Sequence, residues 1–450
     1  MYKFTIIGID DNPLSVERNL HFVQDELRRA KVFSGGKRHF ELVKEYLPDS
    51  FTWIDITVPL DNVFAKYEET AGKNSVTVEQ CNCLSGAESA VETGGGADAA
   101  GETNGGADAA GEEPGIVVFA SGDPLFYGFA ATIQRRLPQA QIKVYPVFNS
   151  LQSLAHRLAL PYEDMTIVSL TGRPWHQFDK ALIERRGKLG ILTDKVHTPG
   201  AIAARALHYG FCNYRMHVGE ALGGEREKVT TLTLQVASQM EFDTPNCVIL
   251  TRENGQGEFR EQHSRVFGIP HSSFSLLDGR ENMITKMPIR LLSLSMLDLH
   301  NRTAFWDIGF CTGSVSIEAK MQFPHLHVDS FEVREQCAAI MEENCRKMGV
   351  PGIEAHIGDF TNLNLPKMLK NTELHLPQSI FIGGHGGKIA LIMKMLSEIV
   401  EPGCIVVYNS VRDWVPFEEA ALANGFTHAE KTEITINNYN KITCCKVVKR

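Results

Sequence analysis

Nothing in these 450 residues reads as a membrane span or a secretion leader: no apolar run is long enough to cross a bilayer, and Met1 leads straight into the strand-like Tyr2 to Ile9. Metal-site spacing is missing as well. Among ten cysteines, Cys81 and Cys83 form only C-x-C, Cys444 and Cys445 are adjacent, and no C-x-x-C pair occurs, so free thiols and no bound metal are expected. Concentrated positive charge is also lacking, because a formal net charge of −9 leaves no basic face for a nucleic acid as a general partner. What remains is a cytoplasmic protein, without a membrane or nucleic-acid role, whose length allows two or more domains with separate cores.

What is present centres on Ala304-Phe305-Trp306-Asp307-Ile308-Gly309-Phe310-Cys311-Thr312-Gly313-Ser314. An apolar strand meets a glycine-bearing turn and then a helix start, which Ser314 can cap. Gly309 and Gly313 let the backbone turn tightly enough for a ligand to approach main-chain N–H groups, and the helix N-terminus favours an anionic group. Glu332 closes the next apolar run, where a carboxylate can accept hydrogen bonds from two ribose hydroxyls. A further strand leads to Gly358-Asp359, whose acid can reach an adenine amino group. Cys311 and Thr312 do not supply the glycines of the dinucleotide fingerprint, so an S-adenosylmethionine pocket fits better. The plainer alternative is a strand-to-helix turn without a ligand.

The N-terminal half opens as α/β: a first strand to Ile9, a helical run from Glu17 to Arg29, and a second strand from Lys31 to Ser34. Gly35-Gly36-Lys37-Arg38-His39 brings two cations and an imidazole to a helix entrance, for carboxylates or simply for solvent. From about Thr70 to Pro114 the chain consists largely of Gly, Ala, Glu, Asp and Thr, with Gly-Gly-Ala-Asp-Ala-Ala-Gly-Glu repeated at 95–102 and 105–112. Too little apolar bulk predicts a disordered insert without chemistry. Beyond it, the buried-strand run Ile116 to Ala120 enters Ser121-Gly122-Asp123-Pro124-Leu125-Phe126-Tyr127-Gly128 and a helix from Phe129 to Arg136. Gly122 permits backbone approach and Asp123 can bind an amino or hydroxyl group, although the same letters also make a capped turn.

The segments Ala120 to Gly128, Ser169-Leu170-Thr171-Gly172-Arg173-Pro174, Leu192-Thr193-Asp194, His197 to Ala203 and Gly219 to Gly224 resemble the tetrapyrrole methylase family. Within it, Tyr2 to Leu250 are most similar to the precorrin C5-methyltransferase module of cobalamin biosynthesis. The resemblance implies a fold of two α/β subdomains over 1–250. It also implies S-adenosylmethionine near Gly122, Asp123 and Phe126, with Asn149 and Ser150 on the facing loop. Lys37, Arg38 and Arg173 are the expected partners of substrate carboxylates.

Polar, weakly periodic sequence from Thr251 to Asn282 reads as an interdomain connector. The domain after it, 283–450, alternates strand and helix as a Rossmann-like methyltransferase should. Ser379 to Ile382 is a strand ending in Gly383-Gly384-His385-Gly386-Gly387, four glycines that expose backbone at a sheet edge, so substrate is expected at Gly383 and Gly384. His385 is an acid, base or carboxylate partner, or a loop histidine with none of these roles. Ile284-Thr285-Lys286, Asp307 to Gly313 and Phe381 to Gly387 resemble the decarboxylating C15-methyltransferase module of the same pathway. By that likeness Thr285, Gly309, Phe310, Cys311, Thr312, Gly313, Glu332, Gly358 and Asp359 line a second methyl-donor site.

In order and content the whole chain is similar to the fused precorrin-6Y C5,15-methyltransferases. That resemblance implies two C-methylations, at C5 and C15 of precorrin-6B or its cobalt form, with loss of CO₂ from the C12 acetate to give precorrin-8X. One S-adenosylmethionine per domain and a homo-oligomer are expected. Methyl transfer from a sulfonium needs alignment more than acid or base help, in keeping with the missing carboxylate-pair and triad patterns. Lys286, Arg290 and His385 are expected around the departing carboxylate. Other readings are a methyltransferase with another substrate, a nicotinamide-dinucleotide oxidoreductase using the same Glu332, or a sensor that binds the methyl donor without turnover.

Overall fold

A computed structural model describes residues 2–10, 12–75, 115–253, 266–411, 413–437 and 441–450. The predicted insert therefore lies mostly outside the described residues, although its first six positions, 70–75, continue the helix Asp61–Ser75. Three sheets organise the rest, and the chain separates into two compact units. The first comprises Met1–Arg157 and Ala221–Lys228; the second comprises Leu158–Glu220 and Val229–Arg450. The break thus falls inside the expected 1–250 domain rather than after it.

The first unit holds five parallel strands, β1 (Lys3–Ile9), β2 (Val32–Gly35), β3 (Thr52–Asp55), β4 (Ile116–Ser121) and β5 (Gln141–Tyr145), in the order β3-β2-β4-β1-β5. Alternating strand residues fill both faces: Phe4, Ile6, Ile116 and Val118 pack into one cluster, Ile7, Ile9, Val117 and Phe119 into the other. Such double burial is why these strands read as continuous apolar runs. β1 leads toward β2 and β4 toward β5, so neighbouring strands send their exits in opposite directions and leave a crevice at their C-terminal ends. The returning segment 221–228 is tied in by Glu227, which accepts Arg157 Nε at 2.5 Å and Gly223 N at 2.6 Å.

The second unit contains β6 (Thr166–Ser169), β7 (Lys188–Leu192), β8 (Tyr214–Glu220), β9 (Lys228–Thr233) and β10 (Asn246–Arg252) in the order β6-β7-β10-β8-β9. It also contains a seven-stranded sheet: β11 (Ala304–Ile308), β12 (His327–Glu332), β13 (Ile353–Ile357), β14 (Ser379–Ile382), β15 (Ile405–Ser410), β16 (Glu430–Ile434) and β17 (Ile442–Val448). Their order, β13-β12-β11-β14-β15-β17-β16, puts five parallel strands beside an antiparallel hairpin at one edge.

The segment expected as a connector is in part core. Ile269, Phe274 and Leu277 are buried with Ile317, Cys337 and Met341, and Gly268 N and Ile269 N both donate to Glu318 at 2.9 Å. Three spaced apolar anchors were hidden there by a polar average.

The two sheets of this unit meet through His176, whose Nε2 lies 3.1 Å from His325 O, and through Ile183, buried with Phe310 and Ile317. Arg205 clamps the buried Asp179 with two bonds of 2.7 and 2.6 Å, while the fully buried Lys320 donates to Pro324 O and Leu326 O. His176, His327 and His375 stack in series, with ring centroids 3.8 Å apart at each step. Burial pushes His176 down to about 3 and His327 to about 4, and the neighbouring Lys320 adds to both.

Candidate functional site

Two crevices carry the glycines singled out by the sequence. In the first unit, Gly122 follows β4 in the left-handed region at φ 64°, and its N–H donates to Ile9 O at 2.8 Å. Gly8 on β1 tolerates no side chain, because a Cβ there would stand 2.1 Å from Gly122 O and 2.9 Å from Val147 N. Three strand exits therefore converge. Asn149 is on the facing loop as expected, with its Cα 3.4 Å from where a Cβ on Gly122 would be. Its side chain, however, is engaged elsewhere. Asn149 Oδ1 accepts Gln152 N while Gln152 Oε1 accepts Asn149 N, a reciprocal cap on the helix that starts at Ser150. Asp123 likewise accepts Leu125 N, closing its own turn, and Phe126 is half-buried edge-on to Tyr127. Lys37 and Arg38 are exposed at the helix start, whereas His39 reaches Ser121 at 2.9 Å. Arg173 is exposed beside Gly172, whose N–H donates to Asp194.

The second crevice opens at the C-terminal ends of β11 and β14, where the sheet order reverses. Gly309 has φ 79°, and a Cβ on it would lie 2.5 Å from Gly384 N. A cavity of 380 Å³ is lined there by Gly309, Glu332, Gly358, Asp359, Gly384 and His385 among the expected residues, together with Arg334, Phe360, Thr361 and Lys388. Phe310 to Gly313 form the turn into the helix Ser314–Gln322. Gly313, in the left-handed region at φ 75°, occupies the cap position, so Ser314 is the first helical residue and not the cap. Thr312 is 1 % exposed, and its Oγ1 has no partner among the described residues.

Glu332 is less available than its position suggests. Its carboxylate accepts Cys311 N, Val333 N and Arg334 N, and Arg334 grips both oxygens at 2.9 and 2.8 Å. Burial pushes the Glu332 carboxyl up, but the Arg334 bonds outweigh it and hold the group below its ordinary value. Ribose hydroxyls can reach it only by displacing Arg334, whose partly exposed side chain can swing outward. Asp359 is committed too, pairing with Lys388 at 2.5 Å and capping Thr361 N. Asp307, one position inside the strand, is buried and pushed up to about 7; Ser316 donates to its Oδ2, while Oδ1 has no partner among the described residues.

Of the three residues expected around a departing carboxylate, only His385 faces the cavity. Arg290 is a correction. It is 0 % exposed, paired with Glu318 at 3.0 Å and bonded to Thr285 O and Ile269 O, so its charge is consumed in the core. Lys286 is also buried and donates to Glu281 O at 2.7 Å; Thr285 is half-buried on the same turn, and Gly383 sits at the root of the loop. Sequence reasoning missed Arg334, Lys388 and Tyr408. The first two follow an acid or a glycine run closely enough to have been flagged, but Tyr408 is 23 positions from its partner His385.

Comparison with known proteins divides the chain between residues 237 and 278. The family model for tetrapyrrole (corrin/porphyrin) methylases matches residues 23–237, and that for the precorrin methyltransferase domain matches residues 278–433. A precorrin-6Y C(5,15)-methyltransferase [decarboxylating] from Sinorhizobium sp is 31% identical over 300 residues, 66% of this chain and 68% of that protein. The chain belongs to the precorrin-6Y C(5,15)-methyltransferase (decarboxylating) family. Two Salmonella typhimurium proteins each resemble part of this fused methyltransferase. A cobalt-precorrin-6B C(15)-methyltransferase (decarboxylating) is 32% identical over 28% of this chain and 62% of its own length. A cobalt-precorrin-7 C(5)-methyltransferase is 31% identical over 30% of this chain and 65% of its own. For a member of this methyltransferase family, the oxidoreductase and sensor readings give way.

Proposed function

We propose that this chain performs both family reactions, methylating C5 and C15 of precorrin-6B or its cobalt form and releasing CO₂ from the C12 acetate to give precorrin-8X. The observation that carries this reading is the Gly309–Gly384 approach at the β11/β14 switch point, with Glu332 one strand away and a cavity between them. That cradle suits S-adenosylmethionine, which when bound supplies an electrophilic methyl group on a sulfonium. Backbone from Gly309 to Gly313, Glu332, Gly358 and Asp359 would hold it in the second unit. Gly122, Asp123, Phe126 and the backbone at Asn149 and Ser150 would hold another in the first.

The protein's own contribution is alignment, since the macrocycle supplies the electron pair and the donor is already activated. In the decarboxylation the bond between the acetate methylene and its carboxylate breaks, the electron pair enters the conjugated ring, and the methylene takes up one proton to become methyl. Lys37, Arg38 and Arg173 are assigned to substrate carboxylates in the C5 reaction, and the Gly383–Gly387 loop to the substrate of the second.

Mass spectrometry of precorrin-6B incubated with the full chain and S-adenosylmethionine tests the proposal. A product that has gained two CH₂ and lost one CO₂ is expected; an unchanged mass overturns it. Replacing Lys37 and Arg38 should raise the precorrin KM without altering donor affinity.

A further inference from the structure

The His385 loop holds an unexplained atom. His385 Nδ1 is buried and has no hydrogen-bond partner among the described residues, whereas Nε2 lies 3.2 Å from Tyr408 Oη. Tyr408 is at the C-terminal end of β15, 7 % exposed, with its ring against Phe417 and edge-on to His385. A buried polar group without a partner is costly, and where one persists beside a cavity a ligand atom commonly completes it.

Which proton sits where follows from donor and acceptor strength. A phenol O–H is a stronger acid than an imidazole N–H, and a bare imidazole nitrogen is a better acceptor than a phenol oxygen, so the favoured arrangement is O–H donating to Nε2. The proton of a neutral ring must then be on Nδ1, and burial keeps the ring neutral by holding its basicity below the ordinary value. Gly386 and Gly387, both in the left-handed region with open space where a side chain would be, leave the loop room to turn that N–H toward a guest.

We propose that Tyr408 is a positioning residue: it holds His385 in the tautomer whose Nδ1 carries the proton, so that the glycine loop presents an uncharged N–H to a carboxylate of the tetrapyrrole. This rests on the reading of the β11/β14 crevice as the decarboxylating site. An uncharged donor orients a carboxylate without stabilising its charge as a cation would, which matters where that charge has to leave as CO₂.

The test uses the full chain with ¹⁵N-labelled histidine. Long-range ¹H–¹⁵N spectra of the wild type should show a protonated Nδ1 and a bare Nε2 at His385, reversed in Tyr408→Phe. In the CO₂-release assay Tyr408→Phe should raise the precorrin KM about tenfold, with S-adenosylhomocysteine affinity and C5 methylation unchanged. His385→Asn, whose amide N–H falls near the Nδ1 position, should retain most of the activity and make Tyr408→Phe silent; His385→Gln should not. A wild-type ring protonated on Nε2, or a Tyr408→Phe loss equally large beside His385→Asn, overturns the assignment. The spectrum needs no substrate, so a chain that failed to bind S-adenosylhomocysteine would refute the methyl-donor site and still leave the tautomer decided.

Discussion

The β1/β4 crevice and the β11/β14 crevice solve one steric problem with different chemistry around it. In each, a strand-end glycine faces the backbone of a neighbouring exit so closely that a single methyl group would collide: Gly8 against Gly122 O, Gly309 against Gly384 N. The surroundings diverge. Beside Gly309 stand a buried carboxylate gripped by arginine and an acid–lysine pair, whereas beside Gly122 one oxygen each of Asp123 and Asn149 accepts a backbone N–H of its own loop or helix. Recognition in the first crevice must therefore lean on main chain, and in the second on charge that has first to be released.

The sharpest way to break this comparison is to fill each cradle separately in the full chain. Gly8→Ala should lower C5 methylation by about 100-fold or more, and Gly309→Ala should do the same to C15 methylation and CO₂ release, each leaving the other reaction within about twofold, since each displaced backbone costs more than ~3 kcal/mol of alignment. Product masses missing one CH₂, with or without loss of CO₂, distinguish the two. Next in size, Arg290→Ala should destabilise the second unit by about 3–5 kcal/mol in urea titration, because Glu318 is left charged and buried, while Arg290→Met with Glu318→Gln recovers much of the loss.

Acid should test the second unit as well. His176 and His327 titrate in the folded chain well below their unfolded value near 6.5, so their contribution is complete above about pH 6.5 and is lost as pH falls toward 4, when only the unfolded chain takes up the protons. Roughly 2 kcal/mol per ring is expected after allowing for partial exposure, and His176→Gln with His327→Asn should flatten the slope of unfolding free energy between pH 7 and 5. The smallest effect concerns Arg334. Arg334→Met frees Glu332 for ribose hydroxyls and should tighten S-adenosylhomocysteine binding about threefold in calorimetry.

Legibility in the sequence followed separation along the chain. The strand Ala304–Ile308 and its glycines were readable because a doubly buried strand is a mostly apolar run, here interrupted only by Asp307, and a tight exit needs left-handed backbone at Gly309. Gly383 to Gly387 were readable for the same reason. Pairings across the fold were not: nothing local marks Arg290 as the partner of Glu318, 28 positions on, or Tyr408 as the partner of His385. Capping was misplaced by one residue because Gly313 fills by conformation the position that a serine fills by hydrogen bonding. The connector was misread because Ile269, Phe274 and Leu277 are too widely spaced to show a period.

The Arg157–Glu227 clasp bears on the order of events during synthesis. The first unit includes 221–228, so when the ribosome has finished residue 157 the nascent domain still lacks its last piece, and some sixty residues of the other unit must emerge before that piece arrives. Folding of the amino-terminal sheet is thereby entangled with the birth of its successor. A gene cut at 157 should yield a fragment that stays open until a peptide spanning 221–228 is added.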